Sequence, residues 1–181
     1  MASEGKATQA ALDAYLAAAA RTGDSRAFAA LFRRWNGKLV AHAWRLLGDR
    51  EAALDAVQDG WAEIVRGLNA LADTSAFPAW AYRIVSRRCA REIGGAIRRR
   101  RTAEAVAAEP AAEAHEPDRN TERLRRAVAA LPADQRAAIG LFYLEDMSVA
   151  ETAVALAVPA GTVKTRLMHA RRKLRAALEG E

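Results

Sequence analysis

Apolar residues recur along this chain at helical spacing. Across residues 10–21, Leu12, Tyr15, Leu16 and Ala19 share one face; Gly23 then breaks the pattern, and Asp24 or Ser25 can cap the next helix. That second helix carries Phe28, Leu31, Phe32, Trp35, Leu39 and Val40 as a broad stripe ending near Gly48-Asp49. A third is predicted from Glu51 to Leu68, with Leu54, Val57, Trp61, Ile64, Val65 and Leu68 buried. A fourth is predicted from Pro78 to Ile93, with Ala81, Ile84, Val85 and Cys89 facing inward. Ser148 to Leu178 reads as a helix-turn-helix. Ser148-Val149-Ala150-Glu151 has capping-box spacing. This helix ends near Ala157, because Pro159 cannot continue it but fits the first turn of the next. Val163, Leu167, Ala170, Leu174 and Leu178 then form one stripe that must face a core. Alanine is abundant and β-branched runs are scarce, so the expected fold is all-α: two small helical domains joined by a flexible acidic linker, the C-terminal one a helix-turn-helix.

The polar positions carry the candidate chemistry. Opposite the stripe of the last helix lie Thr165, Met168, His169 and Arg172, flanked by Lys164, Arg166, Arg171, Lys173 and Arg175. Hydrogen-bonding side chains at the centre and cations at the edges suit a DNA major groove, with the edges on phosphates. The alternative is a solvated basic face on a structural helix. On the third helix, Asp55, Asp59 and Glu63 stack at i, i+4, i+8. Like charges at that spacing cost a few tenths of a kcal/mol per pair unless something cationic meets them. The fourth helix presents Arg83, Ser86, Arg87 and Arg91, then a Gly94-Gly95 break and Arg98 to Arg101, with Trp80 and Tyr82 offering ring faces. Cations beside stacking platforms hold single-stranded nucleic acid; the alternative for Trp80 is a core anchor. The loop from Asn69 to Ala76, with Asp73, Thr74 and Ser75, is polar enough to line a pocket for an extruded base.

Charge sharpens this picture. The chain carries a net +6 with a pI near 10.1, which favours a polyanionic partner. Residues 102–120 hold Glu104, Glu109, Glu113, Glu116 and Asp118 against Arg119 alone, plus Pro110 and Pro117, the composition of a linker. The remainder is therefore more basic than the whole. Cys89 is single, so no internal disulfide forms, and no Cys/His cluster has metal-ligand spacing; neither a metal nor a cofactor is expected. No signal peptide is visible, and no apolar run approaches the roughly 18 residues of a membrane span. The expected location is the cytoplasm. His42, His115 and His169 sit in unlike contexts with no nucleophile–base pair or phosphate loop, which argues against an enzyme.

Four motifs, in order, resemble a known family. Leu131-Pro132-Ala133-Asp134-Gln135-Arg136 followed by Val158-Pro159-Ala160-Gly161-Thr162-Val163-Lys164-Thr165-Arg166 resembles the C-terminal promoter-reading domain of bacterial sigma factors. Leu54-Asp55-Ala56-Val57-Gln58-Asp59 and Phe77-Pro78-Ala79-Trp80-Ala81-Tyr82-Arg83-Ile84 resemble the N-terminal domain of the extracytoplasmic-function group. The resemblance covers residues 10–178 and implies a dissociable subunit of RNA polymerase. It implies three parts: residues 1–101 for core docking and −10 recognition and melting, a 102–120 linker threading the polymerase cleft, and residues 121–181 for the −35 element. Asp55, Gln58, Asp59 and Glu63 would dock on the clamp of the largest polymerase subunit. Asp73, Thr74, Ser75, Arg83, Ser86, Arg87 and Arg91 would open and hold the −10 element. Lys164, Thr165, Met168 and His169 would read the −35 element, with Arg166, Arg171, Arg172 and Arg175 on phosphates and the polymerase flap as the domain's protein partner. An anti-sigma factor is expected by the same analogy. Arg87 and Arg91 stand where relatives commonly have Asn and Asp. Ala157 replaces a usual Gly, at about 1 kcal/mol if the residue is left-handed, and Gly94-Gly95 interrupt a stretch that is usually continuous helix. The rival reading is a stand-alone helix-turn-helix regulator, which needs neither the acidic stripe nor the base-pocket loop.

Overall fold

The computed structural model of the chain describes residues 2–102 and 119–179, all of whose regular elements are helical. The expected linker, with its passage through a polymerase cleft, falls largely outside the described residues. Among the described residues eight α-helices follow in order: α1 Ala2–Arg21, α2 Ser25–Leu47, α3 Arg50–Gly67, α4 Phe77–Thr102, α5 Arg119–Ala129, α6 Ala133–Ile139, α7 Val149–Leu156 and α8 Ala160–Glu179. Two 3₁₀ turns, Leu68–Ala70 and Thr74–Ala76, connect α3 to α4, and a π-helical turn, Gly140–Leu144, follows α6.

Caps set the helix ends where sequence placed them. Asp24 accepts from the Arg26 and Ala27 amides, and Asp49 from that of Ala52. Ser148 and Glu151 complete the capping box at 3.1 and 2.7 Å. α4 departs from expectation. It runs through Gly94 and Gly95 to Thr102 rather than stopping at Ile93, because its backbone ladder tolerates glycine at a propensity cost of about 1 kcal/mol each. The side chains of Arg98 to Arg101 lie outside the described residues.

The buried faces are rotated from their predicted positions wherever small residues let helices approach. In α1 the inward face holds Asp13, Leu16 and Ala17, while Leu12 and Tyr15 are exposed. Asp13 is accommodated because Arg34 donates to it at 2.8 Å. In α2, Phe32 is exposed, and His42 and Ala43 are buried instead. In α3, Ala53, Ala56 and Gly60 are buried, leaving Leu54 and Val65 outside. A Cβ on Gly60 would stand 3.0 Å from the Val85 side chain of α4, so a larger residue there would press on that side chain. His42 is fully buried against Tyr82, with Nε2 2.8 Å from the Ser86 hydroxyl. Burial, then the Arg45 charge, lowers its pKa to about 3, so the ring is neutral.

The two helical units are not separate beads. Leu131, Ala138, Ile139, Val163, Leu167 and Ala170 form a core of their own. Leu141, Met147 and Ala155, however, join the core built by α1 to α4. α7 packs along α4, and α6 against α2.

Ala157 ends α7 at φ 53°, ψ 43°, the left-handed conformation that costs a residue with a Cβ. Ala157→Gly is therefore expected to stabilise the C-terminal unit by about 1 kcal/mol, read as a raised denaturant midpoint with unchanged slope. A lowered midpoint would mean that the Ala157 methyl group makes compensating contacts.

Candidate nucleic-acid and protein interfaces

The α3 surface has two halves. Asp55 and Gln58 are exposed, as are Leu54 (46%) and Val65 (55%), forming a mixed acidic and apolar face. The other half is engaged within the chain. Glu63, only half-exposed, takes Arg88 Nη2 at 2.8 Å and also pairs with Arg87, while Asp59 lies 3.3 Å from Arg88 Nη1. Desolvation opposes the Glu63 charge. The Arg88 hydrogen bond and the Arg87, Arg88 and Arg91 charges outweigh it and hold the carboxyl below its usual range. The stripe thus meets cations first on α4, which sequence spacing could not reveal because the partners lie on a different helix. The same apolar pattern places Leu54 and Val65 in the core, yet both are exposed. Their lateral place on the apolar arc was the only signal that they face out.

On α4, Arg83, Arg87 and Arg91 are exposed, but Ser86 is half-buried and bonded to His42, so it does not share their open face. Tyr82 is fully buried and offers no ring to a base. Trp80 does. It packs over Gly67, where a Cβ would stand 3.0 Å from the indole, and lines a cleft of about 430 Å³ with Leu71, Ala72, Arg83 and Arg87. The polar loop residues have a different place. Asp73 accepts from the Ser75 amide at 2.9 Å and the Ser75 hydroxyl at 2.6 Å, bonds that lower its pKa and shape the turn. Asp73 and Ser75 are exposed and Thr74 is half-buried, none of them on the cleft wall. Arg21 of α1 donates to the Leu71 carbonyl at 2.9 Å and so ties the wall to the first helix. Nothing in the sequence pattern marked Arg21.

On α8, Val163, Leu167 and Ala170 are buried and Leu174 half-buried, whereas Leu178 at the helix end is exposed. Lys164, Thr165, Met168, Arg171, Arg172 and Arg175 are exposed and His169 is half-buried, giving one continuous outer face. Arg166 departs from this set. It pairs with Asp134 of α6 at 3.2 Å and braces the helix-turn-helix rather than reaching outward. Thr165 donates to the Gly161 carbonyl at 3.0 Å.

Among the described residues no group of His, Cys, Asp and Glu has the arrangement of a metal site, and no helix is long and apolar enough to cross a membrane. Residues 31–102 match the sigma-70 region 2 family, and residues 121–174 match sigma-70 region 4. The chain is 35% identical over 162 residues to the ECF RNA polymerase sigma factor SigM of Mycobacterium tuberculosis, covering 90% of this chain and 82% of that one. It is 28% identical to the RNA polymerase sigma-H factor of Pseudomonas aeruginosa, covering 92% and 94%. Among solved structures, CnrH in complex with the cytosolic domain of CnrY superposes with a TM-score of 0.65 at 27% identity, covering 94% of this chain and 99% of CnrH. RpoE of Bartonella quintana, in complex with the anti-sigma factor NepR, gives 0.71 at 24% identity, covering 84% and 96%, and supports the fold.

The chain belongs to the sigma-70 family, in the group of ECF RNA polymerase sigma factors. Such a protein binds core RNA polymerase and directs promoter recognition and transcription initiation.

Proposed function

We propose that three separate surfaces divide this work. Leu54, Asp55, Gln58, Asp59 and Val65 dock on the largest-subunit clamp; Glu63 supports that face through Arg87 and Arg88. The cleft beside Trp80, with Arg83, Arg87 and Arg91 at its rim, receives an unstacked base of the −10 element, and Asp73, Thr74 and Ser75 shape the adjoining turn. Lys164, Thr165, Met168 and His169 read the −35 duplex, with Arg171, Arg172 and Arg175 on phosphates and the C-terminal unit against the flap. Residues 1–101 and 121–181 are the two functional domains. The protein works in the cytoplasm, as an initiation factor and not as an enzyme. A protein of the anti-sigma kind restrains it, in keeping with the relative CnrH being found with the cytosolic domain of CnrY.

One observation carries the reading over that of a stand-alone regulator: the open acidic and apolar α3 face, which a DNA-binding module by itself does not need. The −35 assignment has its own test. His169→Ala is expected to weaken binding chiefly at the correct −35 sequence, a lost base contact being worth about 1–3 kcal/mol. Arg171→Ala should weaken all sequences alike and lower the salt dependence. Identical behaviour of the two variants across a promoter panel would refute the division into readers and anchors.

A further inference from the structure

The cleft beside Trp80 has one wall outside any helix. Leu71, Ala72 and Asp73 join the two 3₁₀ turns and belong to no regular element, and Leu71 and Ala72 line the cleft together with Trp80. The ring side is fixed by α4 and by the Gly67 seat beneath the indole. The loop side has no hydrogen-bond ladder of its own, so its position depends on what holds its backbone groups. Arg21 does so from the last turn of α1. Its Nη1 donates to the Leu71 carbonyl at 2.9 Å in a part-buried bond across 50 positions of sequence, and a bond from an ionised donor is of the stronger kind. α1 is itself braced. Arg34 of α2 donates to Asp13 at 2.8 Å and to Gln9 at 2.5 Å, Leu16 and Ala17 are buried, and α1 packs against the Thr74–Ala76 turn as well as against α2. The loop wall is thus tied through α1 to α2.

We propose that Arg21 is a positioning residue for strand opening, holding the Leu71–Asp73 wall at the distance from Trp80 that a stacked base requires. The proposal rests on the reading that this cleft receives an unstacked base of the −10 element. Dispersion contact is short-ranged: a gap of about 0.5–1 Å forfeits a quarter to a half of it. A wall that drifts by that much leaves the base held by the ring alone, while the cost of extruding it is unchanged. Arg21 does not line the cleft and acts only through the Leu71 carbonyl. Its loss should therefore slow opening and leave both polymerase docking on α3 and −35 contact by α8 as they are.

Three variants of the full chain test this. Arg21→Met keeps the aliphatic stem and removes the donor. Arg21→Lys keeps a donor and the charge that suits a helix C-terminus. Leu16→Val takes a methylene from the buried face of α1 and controls for lost stability alone. Each is bound to core polymerase, and permanganate reactivity on a duplex promoter is followed against time at rising holoenzyme concentration, which separates initial binding from the rate of opening. Arg21→Met should open about tenfold more slowly at saturation, roughly 1.4 kcal/mol, with initial binding unchanged. Arg21→Lys should recover most of that rate. Leu16→Val should open normally although it too lowers the denaturant midpoint. Opening by Arg21→Met at the wild-type rate, an Arg21→Lys protein as slow as Arg21→Met, or a Leu16→Val protein equally slow would each overturn the positioning role. So would an Arg21→Met defect confined to initial binding, which would place α1 in docking. The protein with Trp80→Leu and Arg83→Ala separates the two levels: if it opens slowly while Arg21→Met does not, the cleft stands and only the role of Arg21 falls, whereas normal opening by both would remove the cleft itself.

Discussion

Asp55→Lys with Asp59→Lys is expected to weaken core polymerase binding about 100-fold, roughly 2.8 kcal/mol, within the range measured for close interfacial charge pairs. The fold should survive. Asp55 is exposed, and Asp59, with 69% of its side chain exposed, gives up only its 3.3 Å contact with Arg88, a surface pair worth 0–1 kcal/mol by general experience. Glu63→Lys would be a poor probe, since it breaks contacts with both Arg87 and Arg88 and confounds docking with stability. Circular dichroism together with a fluorescence titration against core enzyme checks the double variant. A folded protein with undiminished affinity would remove α3 from the docking surface.

Strand opening should depend most on the cleft beside α4. Extruding a base costs a few kcal/mol, and stacking on an aromatic ring returns about 1–3 kcal/mol per base. Trp80→Leu with Arg83→Ala removes both the ring and a rim cation. It should reduce permanganate-reactive thymines around the start site by about tenfold or more on intact duplex, taking only the lower part of that stacking range. Docking on polymerase and contact with duplex −35 DNA should be nearly unchanged. A promoter already mismatched over the melted region needs no unstacking, so transcription from it should largely recover. Replacing Asp73, Thr74 and Ser75 together with Ala acts through the shape of the turn, and its defect should be smaller. Unimpaired melting by the Trp80/Arg83 variant would show that the cleft takes no base.

These two surfaces also mark how far the sequence could be read. Caps and breakers are local, so Asp24, Ser148 and Pro159 gave helix ends close to those observed. The α8 stripe was equally clear, because one helix packed on one core leaves a clean period. Faces were less legible. A helix such as α3, held by both α2 and α4, has its buried arc set by where Ala53, Ala56 and Gly60 permit close approach, and large residues at the arc's edge, Leu54 and Val65, are left outside. Ion pairs between helices left no trace in spacing. Arg88 with Glu63, Arg166 with Asp134 and Arg21 with the Leu71 carbonyl each join residues far apart in the chain. Tyr82 is buried and Ser86 half-buried for a related reason: His42 lies 44 positions from Ser86 and draws that face of α4 inward. Packing of the two units was invisible, since Leu141, Met147 and Ala155 fit a local core as well as a shared one.

The most direct test of the whole account is to add this protein to core RNA polymerase lacking any other sigma factor, on fragmented genomic DNA, and to sequence the 5′ ends of the transcripts. A limited set of discrete starts is expected, each preceded by common −10 and −35 sequences, which disappear with the Asp55→Lys/Asp59→Lys protein. Starts indistinguishable from those of core enzyme alone would contradict it.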